Sequence, residues 1–156
     1  MRFQYDDGGR AAAGFHGEAG DCVTRAIAIA TQQDYLAVYD ALNELAKSER
    51  TGKRKRGVSS ARNGVYKQTV RRYLEGIGWN FTPTMGIGTG CRVHLRDGEL
   101  PMGRLIVTVS KHECAVINGV VHDTSDPSRG GTRCVYGFWS SDRQLHLILD
   151  PALEGT

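Results

Sequence analysis

At 156 residues, 40% of them hydrophobic and 24% charged, the chain is long enough for one self-sufficient core and needs no second domain, so residues 1–156 are read as a single unit. Its apolar runs fall far short of the ~20 residues that cross a bilayer, and a net charge of +3 does not by itself define a nucleic-acid-binding protein. The opening MRFQYDDGGR has no apolar h-region and cysteines 22, 91, 114 and 134 form no CxxC pair, which predicts a cytoplasmic protein with reduced thiols and no bound metal or other cofactor.

The first informative stretch is GEAGDCVTRAIAIATQQ, residues 17–33. Asp21 is suited to accept from the free N–H groups of a first helical turn, and Val23, Ala26, Ile27 and Ala30 recur at helical spacing, so a helix is expected to open at Cys22. N–H groups exposed there carry partial positive charge, which favours thiolate over thiol; the neighbouring Asp21 carboxylate opposes this, so a base or cation from elsewhere is required. A second helix over about 35–48 follows, with Asp34 as its cap and Tyr35, Val38, Leu42 and Leu45 as its apolar stripe. The segment KSERTGKRKRGVSSARNG, residues 47–64, mixes Gly, Ser and basic residues without apolar periodicity and predicts a basic flexible loop at 51–62. A third helix carries Tyr66, Val70, Tyr73 and Leu74 and stops near Gly76 and Gly78.

From Trp79 the texture changes to β-branched runs: WNFTP, GRLIVTVS, ECAVI, VVHD, TRCVYGFW and LHLIL. The expected fold class is α+β, with N-terminal helices packed on a C-terminal antiparallel β-sheet. The Gly-rich segment between WNFTP and GRLIVTVS lacks the strand–loop–helix setting of a phosphate-binding loop and reads as a surface loop.

Within SKHECAVINGVVHDTSD, residues 110–126, Asn118-Gly119 between alternating apolar residues marks a hairpin with a two-residue turn. That turn pairs Ile117 with Val120, Val116 with Val121, Ala115 with His122 and Cys114 with Asp123. Alternation then puts His112, Cys114, Val116, Val121 and Asp123 on one face, with His112 and Asp123 as diagonal neighbours roughly 7–8 Å apart along the backbone. His122 points the other way, and Asp126 falls in the turn TSDPSRGG. A thiol at a helix start with a histidine and a carboxylate on one sheet face supplies the parts of a nucleophilic triad: Cys22 the nucleophile, His112 the base and Asp123 its orienter.

These residues resemble the papain-like cysteine peptidase fold, in which a thiol opens the first helix, histidine lies on a later strand and a carboxylate or amide on the next. The resemblance covers about residues 16–30 and 105–126, and the C-terminal wording also resembles uncharacterised bacterial and phage proteins. It implies a single papain-like domain whose oxyanion hole is made by the Cys22 backbone N–H and by the residue six positions earlier. That residue is usually Gln in QGxCGSC; here HGEAGDC puts His16 there. The implied activity is a cysteine peptidase or amidase-type hydrolase or transferase acting on a peptide, isopeptide or amide bond, with a peptide or protein as partner. The alternatives are a catalytically inactive domain of the same fold, a nucleic-acid-binding module using Lys53, Arg54, Lys55 and Arg56 with Arg62, Lys67, Arg71 and Arg72, and metal binding by His16, Cys22, His112 and Asp123.

Overall fold

A computed structural model of the chain describes residues 1–17, 19–51 and 57–141. Among these residues three α-helices, α1 (Cys22–Thr31), α2 (Tyr35–Ala46) and α3 (Lys67–Gly76), accompany six strands: β1 (Arg2–Tyr5), β2 (Trp79–Pro83), β3 (Arg104–Val109), β4 (His112–Ile117), β5 (Val120–Asp123) and β6 (Gly137–Ser141). The strands form one sheet in the order β1-β5-β4-β3-β6-β2. The class is α+β, as expected, but the sheet is mixed rather than antiparallel, because β1 pairs in parallel with β5 from Arg2↔Val120 to Tyr5↔Asp123. All four β1 residues are exposed, so RFQY carries no burial alternation that would mark it as a strand.

Asp34 caps α2 as expected, its carboxylate accepting from the Ala37 N–H at 3.2 Å, and Tyr35, Val38, Leu42 and Ala46 are its buried residues. The Asn118-Gly119 turn has both residues at positive φ, 47° and 78°, and the register is the one its length dictates: Ile117↔Val120, Val116↔Val121, Ala115↔His122. Cys114 and Asp123 lie one step beyond the last paired rung.

Alternation gives the sheet two covered faces. Ile106, Ala115 and Trp139 pack with α1, α2 and α3 in one core, which includes Ile27, Leu42 and Leu74. Leu105, Val107, Cys114, Val116 and Val121 pack on the other side with Leu95 and Val135 from the loops. Helices therefore cover one face, and loop segments cover the second.

The run TRCVYGFW divides in two. Its end is β6, where Gly137 is required because a Cβ there would stand 2.2 Å from Cζ of the Phe81 ring. Residues 133–135 instead run beside 93–95 through Leu95 N–H to Arg133 C=O and Val135 N–H to Val93 C=O, both 2.8 Å. This pairing joins Cys91 and Cys134 in a disulfide with Cα atoms 5.9 Å apart, which corrects the expectation of four reduced thiols. The contact is made between loops 43 residues apart and leaves no spacing signature in the sequence.

The loop expected at 51–62 is anchored at its described end. Ala61 is buried in the helical core, its N–H donates to Asn43 Oδ1 at 2.9 Å, and its carbonyl accepts from Thr24 Oγ1 at 2.8 Å. Ser59 donates through its N–H to Glu49 Oε1 at 2.5 Å and through its hydroxyl to Oε2. Lys53, Arg54, Lys55 and Arg56, and the run LHLIL at 145–149, lie outside the described residues.

Candidate active site

The site forms where four elements end or begin. β4 starts at His112, β5 stops at Asp123, β1 stops beside it with Asp6 N–H donating to the Asp123 carbonyl at 2.9 Å, and α1 opens at Cys22. By alternation His112 and Asp123 belong to the sheet face turned away from the helices. At the end of the sheet that assignment no longer separates them from α1, whose first turn is held against Asp123.

Arg25, one turn into α1, makes the connection. Its Nη1 donates to Asp123 Oδ1 at 2.6 Å and to Thr124 Oγ1 at 3.1 Å, while its Nε donates to Asp21 Oδ1 at 3.0 Å. Asp21 further accepts from Arg10 Nη1 at 3.1 Å and from the Tyr35 hydroxyl at 2.7 Å. Asp21, Arg25 and Asp123 are 1%, 6% and 2% exposed, so these charges are paired out of water. Asp21 stands at the N-cap position but makes no side-chain cap bond, contrary to expectation, because its carboxylate is turned into this cluster. Two guanidinium groups thereby offset the carboxylate that would otherwise oppose a thiolate next door. Burial and the Asp21 hydrogen bond push the Tyr35 phenol well above its ordinary pKa.

His112 Nε2 lies 2.6 Å from Asp123 Oδ2. A carboxylate only accepts, so Nε2 carries the proton and donates, which leaves Nδ1 for the sulfur. Burial disfavours the charge on His112, but the hydrogen bonds and charges of Asp123 and Cys22 outweigh it and raise its pKa to about 9. Burial also works against the Asp123 carboxylate; His112, the Thr124 N–H and Arg25 together hold it below its ordinary range. Cys22 is half-buried and free. Cys114, the other free thiol, is buried, and burial pushes its pKa far up.

Cys22 and His112 line one cleft of about 350 Å³ together with Gly20, Asn63, Gly64, Lys111 and Glu113. Lys111 adopts a left-handed φ of 56° in the two-residue turn between Val109 and His112, which fixes where β4 begins. Gly20 lies against Asn63, whose carbonyl oxygen would be 2.7 Å from a Cβ at that position.

The structure brings Cys22, His112 and Asp123 together and leaves His16 apart from them. The His16 side chain is exposed and does not line the cleft; its carbonyl accepts from Arg62 Nη2 at 2.8 Å. Arg71 pairs with Glu75 at 3.1 Å, Arg72 donates to Ser48 Oγ at 2.6 Å, and Lys67 lines the cleft. Among the described residues no group of three or more His, Cys, Asp or Glu side chains is arranged to hold a metal ion. Arg25, Asn63 and Glu113 were not anticipated. Arg25 had a signal, since it falls three residues after Cys22 inside an otherwise apolar helix; Asn63 had none. Comparison of the chain with protein-family models, with curated proteins and with solved structures finds no match.

Proposed function

We propose that the chain is a papain-like thiol hydrolase or transferase that acts on a peptide, isopeptide or amide bond through Cys22. The observation that carries this reading is the linked chain Cys22–His112–Asp123–Arg25, half-buried at Cys22 and His112 and buried at Asp123 and Arg25, in which each member is oriented by the next. His112 Nδ1 takes the proton from the Cys22 thiol, and the sulfur attacks the carbonyl carbon. The tetrahedral oxyanion is met by the Cys22 backbone N–H at the start of α1 and by the amide of Asn63, which lines the same cleft. His112 then gives its proton to the leaving amine as the C–N bond breaks, and a thioester remains on Cys22. Water, or an acceptor amine in the transferase case, enters with His112 acting as base and releases the acyl group.

Asp123 keeps the imidazole in the tautomer that presents Nδ1 and stabilises the imidazolium, and Arg25 fixes Asp123 in turn. No helix among the described residues is long and apolar enough to cross a membrane. Cytoplasmic placement is part of the proposal; it requires the Cys91–Cys134 pair to persist against cellular reductants, which thiol trapping at lysis measures. The test of function is intact-mass analysis after exposure to a peptidyl acyloxymethyl ketone. One adduct that maps to Cys22 and is lost in Cys22→Ser is expected. No adduct on Cys22, or one whose rate is unchanged in His112→Ala, overturns the reading.

A further inference from the structure

A carboxylate stands where the sheet should be apolar. In HECAVI, alternation turns Glu113 to the helix-covered face with Ala115 and Ile117, directly across from Thr108. Glu113 Oε1 accepts from Thr108 Oγ1 at 2.9 Å, whereas Oε2 is buried and has no hydrogen-bond partner. Burial raises the Glu113 pKa to about 7, and the Thr108 hydrogen bond with the charges of His112 and Lys67 opposes the rise. A buried carboxyl oxygen without a hydrogen-bond partner is costly.

Two cavities are lined by Glu113. On one side is the cleft of Cys22 and His112; on the other is a pocket of about 640 Å³ walled by Val23, Val70, Phe81, Met85 and Trp139. The local cations leave Oε2 unpaired: Arg71 is engaged by Glu75 and lies over the Phe81 and Trp139 rings at 6.0 and 5.5 Å, and Lys67 acts on Glu113 through its charge without forming an ion pair. Lys67 and Arg71 line the pocket too, so a cationic ligand must outweigh their charge; an apolar wall beside the Glu113 carboxylate matches a side chain with an alkyl stem and a cationic tip.

Resting on the hydrolase reading above, we propose that this pocket is a specificity subsite for a lysine- or arginine-type side chain of the substrate, its stem along Phe81, Trp139 and Val70 and its cationic nitrogen on the Glu113 carboxylate. The test compares acetyl-dipeptidyl acyloxymethyl ketones that differ only in lysine or norleucine, placed in turn at each of the two residues before the ketone. At one of these positions the lysine probe alkylates Cys22 with kinact/KI at least about tenfold above its norleucine twin, the factor a charge-assisted hydrogen bond supplies. The ratio falls to within about twofold in Glu113→Gln; if that variant does not fold, Glu113→Asp, which withdraws the charge, must also cut it.

A ratio near one at both positions, with alkylation still dependent on His112, overturns the subsite and leaves the hydrolase reading standing. Alkylation indifferent to His112 overturns the hydrolase reading instead. In that case the subsite is decided on Cys22→Ser by the shift of the Glu113 carboxyl NMR signal on titration with acetyl-lysine amide or acetyl-norleucine amide. A response to the lysine compound alone supports it, and equal responses or none overturn it.

Discussion

Arg25 carries more of the site than its place in an apolar helix suggests. One guanidinium serves two buried carboxylates, Asp21 on its own helix and Asp123 across the chain, a fork that a lysine ammonium does not reproduce. Arg25→Met is expected to cost about 3–5 kcal/mol, because it strands those carboxylates out of water. Urea unfolding measures the loss, and Arg25→Lys should recover only part of it. The His112 pKa, raised from 6.5 to about 9, gives a second expectation. The folded chain holds that proton more tightly than the unfolded one, so the associated stability is fully present below pH 6.5 and is lost as pH rises through 9. The stability difference between the native chain and His112→Asn should therefore shrink by about 3 kcal/mol from pH 6 to pH 9.5. A constant difference would show that His112 gains no proton affinity on folding.

Residue identity was readable where local spacing determines geometry. The Asn118-Gly119 turn sets a register by its length, and that register puts His112 and Asp123 on neighbouring strands. The partners of Asp21 were not readable, because a cap position looks the same in sequence whether its carboxylate turns to the helix or to a distant arginine. Glu113 likewise looks like an ordinary exposed strand residue until β3 and the helices cover its face.

At the scale of elements, the start of α1 matters most, and its approach depends on Gly20. A Cβ on residue 20 would meet the Asn63 carbonyl oxygen at 2.7 Å, a backbone atom that moves only with its loop. Gly20→Ala should thus lower stability by about 1–3 kcal/mol and push Asn63 from the wall of the cleft. Calorimetry and the Cys22 alkylation rate, read together, check it; unchanged values for both would mean the two segments are not held against each other. The helices were legible because each has a periodic apolar stripe. β1 was not, since an edge strand with four exposed residues obeys no burial period, and TRCVYGFW read as one run because nothing in it marks that residues 133–135 pair beside 93–95 while β6 begins at Gly137.

At the scale of the whole molecule, the sheet is sandwiched between helices and loops, and the site occupies its end rather than a face. The Cys91–Cys134 bond ties the two loop segments that cover the second face. Closing a loop of 43 residues disfavours the unfolded chain, and reduction by dithiothreitol is expected to lower the thermal midpoint while the site, at the end of the sheet, still forms. The same arrangement sorts the thiols: two are bonded to each other, one is buried, and Cys22 alone is both free and partly exposed.

That sorting makes one measurement decisive for the central claim that His112 and Asp123 activate Cys22: the rate of iodoacetamide labelling of the folded chain at pH 7, located by peptide mass. The account predicts that Cys22 is labelled well before Cys114, that His112→Ala slows it by about tenfold or more, and that Asp123→Asn slows it less, because the ring remains but loses its orientation. Labelling of Cys22 at a rate indifferent to His112, or no labelling of Cys22 in the folded protein, would contradict it.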